Sequence, residues 1–238
     1  MTSAQGWSEA REEVSFCYSP LREPGNTRLL RLMPNEDKDA PIICGIFEYP
    51  LQKRQPGPHL YEALSYVWGG ENNKQPIYIQ PKDPADCTRR SLLATANLHA
   101  ALSHLRDEFL ERALWIDAIC INQQDNVEKG LQVQSMARVY ANATRVVVWL
   151  GDANEDGEEA IREIAEAADR QESNPANHRR RSKPVISLLS RPWFQRIWVG
   201  VDSTLQGRVQ VIGPLTPCDS PGRPRDRRSS IGTGEMRL

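Results

Sequence analysis

Two short apolar stretches, residues 27–33 (TRLLRLM) and 41–49 (PIICGIFEY), flank the polar, proline-bearing PNEDKDA. This pattern predicts two strands joined by a loop, a hairpin near the N-terminus. After the turn-rich QKRQPGPH, residues 61–68 (YEALSYVW), bounded by Gly69 and Gly70, predict a buried strand, and 77–80 (IYIQ) a short one. Between 90 and 114, Leu92, Leu93, Ala96, Ala100, Ala101, Leu105, Phe109 and Leu110 are spaced to keep one face of a helix dry. Residues 114–121 (LWIDAICI) form a nearly continuous apolar run, as expected of a central strand covered on both faces. Its one charge is Asp117.

Asp125 to Glu128 has the composition of a capping box. The Asp125 carboxylate accepts from an early backbone N–H while Glu128 reaches back to the N–H of the cap. The helix predicted there carries Val127, Leu131, Met136, Val139 and Tyr140 as its apolar stripe. It gives way to 145–150 (RVVVWL), a strand closed by Gly151. A further helix is expected over 158–170, with Ile161, Ile164, Ala165 and Ala168 on one face, followed by a polar loop.

Strand and helix alternate over 60–170, which predicts an α/β domain with a mainly parallel sheet. Ligands of such sheets bind beyond the carboxyl ends of the strands, so 68–70, 122–125 and 151–154 are the segments of interest. The domain is expected over 14–202. Residues 1–13 read as a flexible N-terminus. Residues 203–238, with Pro214, Pro217, Pro221 and Pro224 and no apolar period, read as a disordered tail. The change of character near Gly200, directly after the apolar PWFQRIWV, suggests a mispredicted exon or a frameshift from there on.

Composition narrows the function. In 238 residues, 30 Lys+Arg face 31 Asp+Glu, and the mean hydropathy is -0.57. A formal net charge of -1 excludes bulk attraction to nucleic acid or an anionic membrane. No apolar run approaches the roughly 18 residues of a membrane span, and the N-terminus lacks a secretory signal, so a cytoplasmic protein is expected. Cys17, Cys44, Cys87, Cys120 and Cys218 are odd in number and scattered, hence free thiols. His99 and His104 stand about 140° apart on a helix and make no metal face, so no metal is expected.

Several residues invite a chemical reading and a structural one. Asp117 is either a cleft carboxylate or a structural one held by neighbouring backbone or by Arg145. Trp68 before Gly69 and Gly70 marks either a close approach to a ligand or an ordinary turn. Tyr61, Trp68, Trp115, Trp149, Trp193 and Trp198 resemble a base-stacking set, yet Trp115, Trp149 and Trp198 are expected in the core. Backbone N–H groups at 122–125 suit a phosphate, but Asp125 repels one and is better read as a cap. Arg179 to Arg181 read as a solvated loop.

Three blocks together resemble the fungal heterokaryon incompatibility (HET) domain: YEALSYVWGG at 61–70, LWIDAICINQQDNVEKGLQVQSMARVYANATRVVVWLG at 114–151, and RPWFQRIWV at 191–199. The resemblance implies an intracellular protein of fungal non-self recognition and programmed cell death. HET domains are in turn distantly similar to Toll/interleukin-1 receptor (TIR) domains, with a flavodoxin-like three-layer fold. Their enzymatic members split NAD at the nicotinamide–ribose bond using a helix-borne glutamate.

The third HET block usually continues as W-V-x-Q-E. Here the residues are Trp198, Val199, Gly200, Val201 and Asp202, so an aspartate stands at the glutamate position. Losing one methylene withdraws the charge by more than about 1 Å, a misplacement that costs on the order of 100-fold in rate. The resemblance therefore implies one of two functions. The first is an NAD-cleaving effector with Asp202 as catalytic carboxylate and Ser65, Trp68, Gly69 and Asp117 lining the cleft. The second, favoured by the Asp202 departure, is a module that self-associates or binds a protein partner without catalysis.

Overall fold

The computed structural model describes residues 13–51, 60–81, 83, 85, 86, 88–151, 183–195, 208–212 and 234–236. They fall into two units, Met1–Arg54 with Gly69–Ser135, and Gln55–Trp68 with Met136–Leu238.

In the first unit β1 (Glu13–Ser15), β2 (Asn26–Leu32), β3 (Ile43–Pro50), β5 (Gln75–Ile79), β6 (Arg89–Ala94) and β7 (Arg112–Trp115) lie in the order β1-β6-β5-β3-β2-β7. The expected hairpin is present: β2 and β3 are antiparallel, with Leu32 opposite Cys44 and Asn26 opposite Pro50. Leu29, Leu30 and Leu32 are all buried, so both faces of β2 are covered. Arg106 holds the connection. Its guanidinium donates to the carbonyls of Asp37 and Ala40 at 3.1 and 2.8 Å.

In the second unit β4 (Glu62–Tyr66), β8 (Arg145–Trp149), β9 (Arg208–Ile212) and β10 (Gly234–Met236) lie in that order. The first three are parallel and β10 is antiparallel to β9. Helix α3 (Asn126–Asn142) runs from the first unit into the second.

The α/β class stands, and the pairing is mixed. Parallel pairs (β1 with β6, β3 with β5, β4 with β8, β8 with β9) occur beside antiparallel ones (β2 with β3 and β7, β5 with β6, β9 with β10). β9 and β10 fall within the segment expected as a tail. The rest of that segment, like the helix expected at 158–170 and Arg179 to Arg181, lies outside the described residues. Among the described residues no helix is long and apolar enough to cross a membrane.

Three local expectations are corrected. The helix expected between 90 and 114 is shorter, because Leu92 and Leu93 belong to β6 and the helix α1 is Ala96–Leu105. Thr95 caps it, its Oγ1 accepting from Leu98 N, and at Arg106 the backbone is already extended. Phe109 and Leu110 sit exposed in a turn whose N–H groups both donate to Asp107 Oδ1.

The run at 114–121 is a strand only to Trp115, after which Asp117–Cys120 form one helical turn, α2. Strand and turn alike bury apolar side chains, so a short apolar run does not distinguish them.

In α3, Val139 is buried as expected, but Val127 is 75% exposed and Leu131 58%. The inward face instead carries Glu128, which grips Arg28, and Gln132, whose Nε2 donates to Asn26 O at 2.7 Å. Asp125 caps the helix through Val127 N and Glu128 N, both 3.0 Å away. Glu128 reaches past the cap to Asn122 N, 2.9 Å away, and so does not close the box on Asp125.

Cys17, Cys44 and Cys120 are free thiols; Cys87 and Cys218 lie outside the described residues. Burial pushes the Cys44 and Cys120 thiols up, the latter to about 12. At about pH 8, alkylation should therefore modify Cys17 in the native chain and reach Cys44 and Cys120 only after unfolding, as read by peptide mass mapping. Glu128→Ala strands a guanidinium that is 4% exposed and should cost about 3–5 kcal/mol in urea denaturation. Val127→Ala should stay within about 0.5 kcal/mol.

Candidate functional site

In the second unit β4 and β8 run parallel and in register, from Glu62 beside Arg145 to Tyr66 beside Trp149, so their carboxyl ends finish level. Three constraints hold this pair. Tyr61 Oη donates to Val139 O at 2.6 Å, Tyr140 Oη donates to Leu64 O at 3.3 Å, and Arg145 forms an ion pair with Glu62. Beyond β8, Gly151 takes φ +88°, a left-handed conformation that turns the chain and that L side chains rarely adopt.

A short segment closes onto these strand ends. Helix α4 (Lys183–Leu189) leads into a 3-10 turn at Pro192–Gln195. Arg191 Nη1 donates to Leu150 O at 3.0 Å, and Trp193 Nε1 donates to Ser65 Oγ at 3.0 Å. The Phe194 ring packs edge-on against Trp193 with centroids 5.0 Å apart. Three sequence blocks thus meet in one place: the first through Ser65, the end of the second through Leu150, and the third through Arg191 and Trp193. Trp68, two residues past β4, is 40% exposed. This is where parallel α/β strands present groups to ligands.

Ser65 therefore accepts from an indole. The arrangement suits binding and positioning.

The remaining sequence-named residues are placed in the first unit or lie beyond description. Asp117 heads α2, half-buried, with Oδ1 accepting from Ala118 N at 2.8 Å and its carbonyl accepting from Gln123 Nε2 at 2.9 Å. Asn122 to Asp125 follow a helical turn and not a strand. Gly69 takes φ +77°, and a Cβ there would sit 3.5 Å from that of Asn97, so the backbone conformation and not space selects glycine. Ser65 and Trp68 belong to the second unit, Gly69 and Asp117 to the first. Asp202 and Trp198 lie outside the described residues.

Trp115 and Trp149 are core residues, as expected. Arg191 was missed as a site residue, although its place at the head of RPWFQRIWV marks it. Among the described residues no cluster of three His, Cys, Asp or Glu could hold a metal ion. Ser65→Ala and Trp193→Phe should each cost about 0.5–1.5 kcal/mol, and the double variant should cost less than their sum in a double-mutant cycle, since both remove one hydrogen bond.

A family model described as heterokaryon incompatibility protein (HET) matches residues 61–201. The chain is 31% identical over 208 residues to heterokaryon incompatibility protein 6, OR allele, of Neurospora crassa, a match covering 85% of this chain and 28% of that relative. No solved structure matches it. The chain belongs to the heterokaryon incompatibility (HET) family.

Proposed function

We propose that this chain serves fungal non-self recognition in the cytoplasm as a binding and assembly module, linking recognition of a genetically different partner to cell death. The family match over 61–201 carries this reading. The chain spans 28% of the length of the relative it matches, so the activity and partners of that longer protein enter here as a proposal.

Two features of the molecule support binding over chemistry. In the first unit Val127 and Leu131 lie one helical turn apart on the exposed side of α3, an apolar pair of the kind a partner covers. In the second unit the described contacts at the junction of the three blocks are positioning ones, a hydrogen bond from the Trp193 indole to Ser65 and one from Arg191 to the Leu150 carbonyl. The enzymatic alternative is NAD cleavage by Asp202, with Ser65, Trp68, Gly69 and Asp117 in the cleft. It rests on the position of one carboxylate in the sequence.

Sedimentation velocity from low to high micromolar protein tests the assembly reading. The native chain should show concentration-dependent oligomers. Leu131→Asp should weaken them while leaving urea stability within about 0.5 kcal/mol. A strict monomer throughout, indifferent to Leu131→Asp, contradicts it.

A further inference from the structure

Among the described residues, β3 of the first unit has a partner strand on one side only beyond Cys44. β2 accompanies it to Pro50, whereas β5 pairs with Ile43 and Cys44 and ends at Ile79. Gln80 N still donates to Cys44 O at 2.8 Å, and Pro81, which has no N–H, follows.

The direction of the remaining backbone groups follows from the ladder. Hydrogen-bonded and non-bonded pairs alternate along an antiparallel pair. Met33 N donates to Ile43 O at 3.0 Å, so the odd-numbered residues of β3 bond to β2. The even-numbered ones face the other way, in keeping with Ile42 O and Cys44 O accepting from Tyr78 N and Gln80 N. Ile46 and Glu48 therefore turn N–H and C=O toward the side from which β5 is missing, and no described strand pairs with them there.

This edge is one wall of a cavity of about 850 Å³ whose other walls include Phe16, Leu21 and Ile79. The lining carries the carboxylates of Glu23, Glu48, Asp83 and Asp86 and the guanidiniums of Arg22, Arg28 and Arg90. Arg28 is spent on Glu128, Arg90 on Asp86 and Arg22 on Glu48. Glu23 and Asp83 are left without a cation among the described residues, so the described lining carries an acidic excess.

We propose that this cavity receives an extended segment of a protein partner, carrying basic side chains, as a strand added to the edge of β3. The backbone groups of Ile46 and Glu48 supply the ladder and the carboxylates select lysine or arginine. From Ile46 to Pro50 the edge accommodates roughly five residues at about 3.4 Å each. The inference rests on the binding-module reading and gives it a surface and a partner chemistry.

Amide hydrogen exchange of the whole chain, followed by NMR at 45–48, tests it with an acetylated heptapeptide of sequence TKVKVKT as probe. In the free chain the Ile46 and Glu48 amides should exchange at least about tenfold faster than those of Gly45 and Phe47, and the peptide should slow them by a similar factor. Ile46→Pro removes an N–H that β2 does not use and should abolish the effect, whereas Ile46→Thr keeps the N–H and should retain it. Equal protection at all four amides in the free chain, or no slowing with saturating peptide, overturns the proposal. Equal slowing by TEVEVET overturns the charge assignment. If the peptide fails while concentration-dependent oligomers persist, this cavity alone is refuted; if both fail, so is the binding-module reading.

Discussion

A guanidinium 4% exposed within a β-strand demands a fixed counter-charge, and the first unit is organised around meeting that demand. Both Arg28 Nη atoms engage the two carboxylate oxygens of Glu128, a residue 100 positions later. Nη2 also donates to Ser19 O at 2.7 Å, and the guanidinium lies 5.1 Å from the centroid of the Tyr18 ring. Tyr18 in turn donates to Ile119 O at 2.8 Å, and Glu128 accepts from Asn122 N. One bidentate pair thus ties together the segment after β1, strand β2, turn α2 and the start of α3. Bidentate charge-assisted bonds combine strength with fixed geometry, which suits a hub of this kind. The same arginine borders the cavity beside β3, so the shape of that cavity depends on the pair as well.

In the second unit the strands themselves carry most of the burial. Its parallel strands β4 and β8 bury Ala63, Leu64, Tyr66 and the continuous run Val146 to Trp149. Hydrogen bonds from Trp193 and Arg191 then seat the third block on their carboxyl ends. Each such bond contributes about 1 kcal/mol. The placement of the blocks leans on the strands beneath them, and a partner that touches Trp193 or Arg191 meets the hydrogen bonds that seat the third block. That is a reasonable property for a recognition surface.

Much of this was legible in the sequence because the signals were local. The hairpin, β4, β5 and β8 announced themselves through short β-prone runs bounded by turn residues, and Asp125 through its place before a helix. The boundaries of α1 were misread because Leu92 and Leu93 suit a strand and a helix equally, and the deciding groups, Thr95 and Arg106, act through caps and through carbonyls some 65 residues away. The inward face of α3 was misread for the same reason. Glu128 and Gln132 look solvent-directed until their partners in β2 are known. The three blocks were visible as blocks, but that Trp193 meets Ser65 is a contact across 128 positions that no periodicity reports.

The proposed binding role has this chain engage a partner without cleaving NAD, and nicotinamide release from NAD by the purified protein tests that most directly, run beside Asp202→Glu and Asp202→Ala. No release from the native chain is the predicted result. Release by the native chain that Asp202→Ala abolishes would make Asp202 a catalytic carboxylate and contradict the account.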